Sequence, residues 1–138
     1  MAEKGAVVLS GGGAKGAYEA GTLASIVQEA KIHVLTGSSI GAVNAAVFAW
    51  EYEKTGDLNR AAQRLQEAWL ELEELFEISL WKILGSVLLS QLQTGSPLNF
   101  PSVADPRQIE AKIRDYLPAG VRLSDLSRIE LAINATCL

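Results

Sequence analysis

Cysteine and histidine are almost absent from this sequence. Its 138 residues contain one cysteine, Cys137, and one histidine, His33. A single cysteine excludes an internal disulfide framework and a metal cluster held by several thiolates. Low cysteine usage is typical of a reducing compartment, so we expect a cytoplasmic protein.

An excess of positive charge is also missing. Twelve Lys and Arg residues stand against sixteen Asp and Glu residues, which gives a formal net charge of −4. Affinity for nucleic acid comes largely from Lys and Arg side chains that displace phosphate counterions. We therefore expect no nucleic-acid partner.

Long apolar runs are missing as well. Residues 1–4 lead into an apolar strand pattern without the apolar core that a signal peptide needs. The longest apolar stretch, residues 79–92, contains Lys82, Gly85 and Ser90 and is shorter than the ~20 residues that cross a bilayer. This stretch is either a core helix or a lid that makes peripheral contact with a membrane.

The patterns that are present alternate between strand and helix. The first half of the chain predicts a buried strand at residues 6–10, a helix at 15–30, a strand at 32–36 and a helix at 40–54. Further on, the sequence predicts a helix capped by Asp57, a helix that starts at Asp105 and Pro106, and a strand at 128–136. Such alternation indicates one α/β domain with a mainly parallel sheet.

A glycine-rich loop follows the first strand. Gly11, Gly13 and Gly16 formally match a dinucleotide fingerprint, but Thr36 and Gly37 stand where that fingerprint needs an acidic residue. A nucleotide P-loop fails because no Ser or Thr follows the loop's lysine in the required pattern. A nucleotide site is therefore the least favoured of three interpretations. The other two are a nest of backbone N–H groups for an oxyanion and a connection that binds nothing.

A second motif follows the second strand. Residues 37–41 read Gly-Ser-Ser-Ile-Gly, which is the G-x-S-x-G pattern of a nucleophile elbow in its strand-to-helix context. The spacing selects Ser39 as the nucleophile, with Gly37 and Gly41 permitting the tight turn, and makes Ser38 the intervening residue. His33 lies six residues earlier in the strand, too far away to act as the base of Ser39. The base is therefore a carboxylate or a group outside this chain.

Together these motifs resemble the patatin-like phospholipase family. The stretch VVLSGGGAKGAYEAGTL is similar to the family's first strand, oxyanion glycines and first helix, and LTGSSIGAVNAA is similar to its nucleophile elbow. The two motifs occur in the family's order and spacing. The closing stretch IELAINATCL is similar to the strand that precedes the family's catalytic carboxylate.

The resemblance implies both a fold and a chemistry. It implies a three-layer α/β/α sandwich, hydrolysis of lipid acyl esters by a Ser-Asp dyad, and neither metal nor cofactor. Ser39 is then the nucleophile, and Gly11, Gly12 and Gly13 line the oxyanion hole. Lys15 and Gly16 complete the oxyanion motif.

The sequence departs from the family at the catalytic carboxylate. That residue lies in an Asp-Gly-Gly or Asp-Gly-Ala motif, and none of the four aspartates is followed by glycine: Asp57, Asp105, Asp115 and Asp125. We therefore expect residues 1–138 to be the N-terminal portion of one catalytic domain, inactive or nearly so alone. The alternative is a non-catalytic binding or assembly module of the same fold. An incomplete sheet also predicts pairing of two copies through an exposed edge.

Overall fold

The alternation of strands and helices is confirmed by the structure. The structure is a computed structural model, and it describes residues 5–12, 15–72 and 106–134. In chain order the elements are β1 (Gly5–Leu9), α1 (Lys15–Glu29), β2 (Ile32–Ser38), α2 (Ile40–Thr55), α3 (residues 58–72), α4 (Pro106–Tyr116) and β3 (Glu130–Asn134). A short 3-10 turn at Leu123–Asp125 precedes β3.

The three strands form one parallel sheet in the order β1-β2-β3. Val8 pairs with Thr36, which pairs in turn with Ala132, so these three side chains share one face of the sheet. The helices α1 and α2 lie on the opposite face, because their buried residues share one core with Leu9 and Leu35 of the sheet. This placement agrees with the right-handed crossovers that usually join parallel strands. The expected α/β class with a parallel sheet is thus confirmed.

The two faces of the sheet differ in burial. Leu9 and Leu35 belong to the buried core that the sheet shares with its helices. On the other face Val8 is 78% exposed, and Ala6 and Ala132 are exposed too. Of the three layers expected, the residues described here contain the sheet and one helical layer.

The borders of the second helix and the third follow the expected capping chemistry. Gly56 ends α2 in the left-handed conformation (φ 68°), and its N–H donates to the carbonyl of Tyr52 over 2.8 Å. Asp57 Oδ1 accepts the backbone N–H groups of Asn59 and Arg60 over 2.8 and 3.2 Å. The predicted cap at Asp57 is therefore confirmed.

The predicted strand borders were partly wrong. β2 runs to Ser38, two residues beyond the prediction, because Gly37 and Ser38 still pair with neighbouring strands. β3 begins at Glu130 rather than at residue 128, because a side chain of α2 binds the N–H groups of Ser127 and Arg128. The predicted cap at Asp105 and the apolar stretch 79–92 lie outside the described residues.

None of the helices in the described ranges combines the length and the apolar character that a bilayer-spanning helix requires.

Candidate active site

Ser39 occupies a sharp turn between β2 and α2. Its backbone has φ 53° and ψ −126°, and within residues 5–12, 15–72 and 106–134 no other non-glycine residue has a positive φ. A serine directly before a helix normally caps it, yet the side chain of Ser39 makes no capping hydrogen bond. The residue is exposed, so its hydroxyl is available at the surface.

Close backbone packing enforces this turn from both sides. A Cβ atom at Gly37 would collide with the backbone of Gly41 and Ala42. One at Gly41 would lie 2.5 Å from the carbonyl oxygen of Leu9 and 2.7 Å from that of Ser10. The elbow is thus seated against the end of β1, where only glycine fits at both positions.

The glycine loop meets the elbow at Gly11. A Cβ atom placed on Gly11 would lie 2.9 Å from Ser39 Cβ and 3.6 Å from Ser39 Oγ. The absence of a side chain at position 11 therefore leaves space directly beside the hydroxyl. This contact brings together the two motifs that the sequence placed after neighbouring strands.

The remaining loop positions lie around this contact. Gly12 has a φ of 143°, and its carbonyl accepts the N–H of Lys15 over 3.2 Å. The exposed side chain of Lys15 folds back over Gly12, since a Cβ there would lie 2.9 Å from Lys15 Cδ. Gly16 is buried beneath Trp69, whereas Gly13 lies outside the described residues.

The electrostatics of this end of the sheet favour an anion. α1 begins at Lys15 and α2 begins at Ile40, so two helix N-termini follow the carboxyl ends of β1 and β2. Each helix N-terminus carries a partial positive charge and unpaired N–H groups. The lysine adds a full positive charge at the same end.

His33 lies where the sequence analysis expected it, away from the elbow. It is half-buried near the start of β2, and its Nδ1 lies 3.2 Å from the carbonyl oxygen of Lys31. Ser39 follows the other end of the same strand. The structure therefore confirms His33 as a strand residue distant from the nucleophile position.

The three aspartates within the described ranges are engaged elsewhere. Asp57 caps α3, and Asp125 Oδ2 accepts the N–H of Arg122 over 2.9 Å in the turn before β3. Asp115 lies 3.9 Å from Lys112 Nζ on α4. Asp105 lies outside the described residues. No group of three His, Cys, Asp or Glu side chains in the described part of the chain could hold a metal ion.

Sequence reasoning missed a buried polar network beneath the loop. Asn44 of α2 is 1% exposed; its Nδ2 donates to the carbonyl of Gly16 over 2.9 Å and to Glu19 Oε2 over 3.1 Å. Asn44 Oδ1 accepts the indole N–H of Trp69 over 2.9 Å. Ser10 Oγ donates to Glu19 Oε1 over 3.3 Å. The signal was present, because Asn44 interrupts an apolar helix and Glu19 lies on the buried stripe of α1.

A family model described as patatin-like phospholipase matches residues 7–132. Comparison with curated proteins and with solved structures finds no match. The matched range covers most of the chain and contains both the glycine loop and the elbow, on the parallel α/β sheet described above. The chain therefore belongs to the patatin-like phospholipase family.

Proposed function

We propose that this chain carries the nucleophile and the oxyanion donors of a serine hydrolase that cleaves lipid acyl esters. The observation that carries the proposal is the contact between Gly11 and the strained turn at Ser39. Strained backbone at an exposed serine hydroxyl, beside a glycine-rich loop, is the arrangement of a nucleophile elbow next to an oxyanion hole. Membership of the patatin-like phospholipase family supports a lipid ester as the substrate.

The proposed reaction has two steps. Ser39 Oγ attacks the ester carbonyl carbon, its proton passes to a base, and the carbonyl oxygen becomes an oxyanion held by the N–H groups of Gly11, Gly12 and Gly13. As the tetrahedral intermediate collapses, the bond to the leaving oxygen breaks and the base returns the proton to that oxygen, so that a neutral alcohol departs and an acyl-serine remains. Water then hydrolyses the acyl-serine to the carboxylic acid and free serine. Lys15 and the two helix N-termini favour the negative charge.

The base in this proposal is an aspartate of a Ser-Asp dyad. No Asp-Gly pair occurs in the sequence, so we propose that the chain alone hydrolyses esters slowly or not at all. Loss of a general base commonly lowers the rate by ~10² to 10⁴. The unassisted hydroxyl still reacts with a sufficiently strong electrophile.

A fluorophosphonate probe tests the proposal. In that reaction a bond forms between Ser39 Oγ and phosphorus, fluoride leaves, and the serine proton goes to solvent or to a base. We expect one adduct by intact mass, lost in Ser39→Ala and retained in Ser38→Ala. The second variant is the matched control, because it removes the adjacent hydroxyl at the end of β2.

The pH dependence of labelling separates an assisted serine from an unassisted one. Without a base, hydroxide must supply the deprotonation, so the rate rises about tenfold per pH unit without a plateau. A dyad instead gives a plateau above the pKa of its carboxyl group. A plateau in the 138-residue chain would contradict our proposal that the base is missing.

The alternative function is a non-catalytic binding or assembly module. The observation that favours it is the missing Asp-Gly motif. At alkaline pH, where hydroxide replaces the missing base, labelling that is equal in wild type and in Ser39→Ala would support this alternative and end the proposal of a serine hydrolase.

A further inference from the structure

We infer that Asn44 is a positioning residue that, together with Glu19, fixes the glycine loop relative to Ser39. The inference rests on the proposed function, since it concerns the alignment of the oxyanion donors with the nucleophile. Asn44 lies on α2 five residues after Ser39. Its side chain points away from solvent and into the first turns of α1.

The bonds of this network reach both sides of the glycine loop. Ser10 directly precedes the loop, while Gly16 and Glu19 follow it in α1. Glu19 accepts a hydrogen bond from Ser10 Oγ with one carboxylate oxygen and a hydrogen bond from Asn44 Nδ2 with the other. The carboxylate therefore links the entry of the loop to its exit, and Asn44 links both to the helix that carries the elbow.

Packing alone does not account for an asparagine at this position. Its neighbours on α2 are the buried residues Ala45, Val47 and Phe48, so an apolar residue would suit the surroundings. A buried amide is stable only where its hydrogen bonds are made, and Asn44 uses both N–H groups and its oxygen. Three bonds in different directions hold the amide in one orientation.

The glycine loop needs such an external restraint. Gly11 and Gly12 have no side chains to anchor them, and glycine has the widest backbone freedom of any residue. Oxyanion donors act only when they lie about 2.7 to 3.1 Å from the developing charge. A loop tied at both ends to the elbow helix keeps its N–H groups at a fixed distance from Ser39 Oγ.

The first test compares labelling rates with thermal stability. Asn44→Ala should lower the rate of fluorophosphonate labelling of Ser39 by at least about tenfold, the scale expected when reacting groups are misplaced. Val27→Ala is the matched control, because Val27 is buried in α1 two turns beyond Glu19 and has no part in the network. The control should lower Tm without changing the labelling rate. A labelling rate that follows Tm in both variants would overturn the inference.

The second test exchanges donor and acceptor. Asn44→Asp alone faces the Glu19 carboxylate with a second carboxylate and should label slowly. Combining it with Glu19→Gln restores an amide-to-carboxylate hydrogen bond in the reverse direction, so the rate should recover in part. A double variant no faster than Asn44→Asp would contradict the inference. If Asn44→Ala does not fold, the comparison of Asn44→Asp with the double variant decides the question.

A spectroscopic arm separates the failure of this inference from the failure of the proposed function. The ¹H–¹⁵N resonances of Gly11 and Gly12 should shift in Asn44→Ala and in Glu19→Gln and stay in place in Val27→Ala. Shifts of the same size in all three variants would overturn the positioning role. If Ser39 fails to label while these shifts occur, the hydrolase proposal fails and the structural link stands.

Discussion

Two glycines of the elbow are required by the backbone of their neighbours. The atoms that a Cβ would meet at Gly37 and Gly41 are backbone atoms of β1 and α2, which cannot rotate aside as a flexible side chain can. Gly21, on α1, has nothing within 4 Å of its would-be Cβ. The same substitution should therefore have opposite effects at the two kinds of site.

Gly41→Ala and Gly21→Ala form the matched pair. We expect Gly41→Ala to destabilise the protein by roughly 1 to 3 kcal/mol or more, the range for overpacking a tight site. Gly21→Ala should stabilise it by about 0.5 to 1 kcal/mol, because alanine loses less backbone entropy in a helix. Urea denaturation measures both changes. Equal effects of the two substitutions would contradict the packing described for the elbow.

At the residue scale, local motifs predicted what lies close in sequence. The position of Ser39 at a strand-to-helix turn followed from the five residues of the elbow. The hydrogen bonds of Asn44 could not be predicted from a local motif, because its partners lie 25 to 28 positions away in the sequence: Gly16, Glu19 and Trp69. Only the folded arrangement of α1, α2 and α3 brings those groups together.

At the scale of elements, hydrogen bonds connect the last turn of α2 to the residues just before β3. Glu53 Oε2 accepts the backbone N–H groups of Ser127 and Arg128 over 2.8 and 2.9 Å, and Oε1 accepts the Ser127 hydroxyl over 2.8 Å. Arg128 Nε donates in return to the carbonyl of Glu53 over 3.2 Å. A carboxylate near a helix C-terminus is normally unfavourable, so these bonds explain its place there.

The bonds of Glu53 to Ser127 and Arg128, here called the Glu53 clamp, predict a dependence of stability on pH. The hydrogen bonds from Arg128 and Ser127 lower the pKa of Glu53 below its ordinary value of 4.5. A lowered pKa in the folded state means that the stabilisation is complete above the unfolded pKa and is lost as the pH falls through the folded one. Wild type should exceed Glu53→Gln in urea midpoint at pH 7, and the difference should shrink steadily as the pH falls below about 4.5 in a series from pH 7 to pH 3.

Glu110→Gln is the control for that series. Glu110 pairs with Arg114 over 2.7 Å on the exposed surface of α4, and exposed pairs of this spacing contribute only about 0.3 to 0.5 kcal/mol. A pH-dependent difference as large in this variant as in Glu53→Gln would show that the clamp has no special part in stability.

Element types were predictable where hydrophobic periodicity was clear, as in α1 and α4. The start of β3 was not predictable from the sequence. Glu53, 74 positions before Ser127, binds the N–H groups of Ser127 and Arg128, which a longer strand would need. Sequence periodicity contains no information on such a contact.

At the scale of the whole molecule, the helices of the described ranges lie on one face of the sheet, and β1 and β3 are the outer two of its three described strands. No described residue pairs with the outer side of β3, and Ala132 on that strand is exposed. The expectation that two copies pair through a sheet edge therefore stays a prediction, with β3 as the edge concerned. Charged side chains on an edge strand oppose such pairing.

Sedimentation over a range of concentrations tests this pairing. Wild type should associate as concentration rises, and Ala132→Lys should reduce that association. Ala111→Lys makes the same chemical change at an exposed position of α4 and should leave association unchanged. A wild type that stays monomeric at every concentration would contradict the prediction.

The glycine loop, the elbow and Asn44 all lie between residues 11 and 44, within two strands and two helices that follow one another directly. Such a short sequence separation favours early formation during folding, because little chain entropy is lost in bringing the groups together. The proposed site is thus encoded mainly by one contiguous stretch of the chain, to which α3 adds the bond from Trp69 to Asn44. Changes in the chain beyond α3 should therefore leave the contact between Gly11 and Ser39 in place.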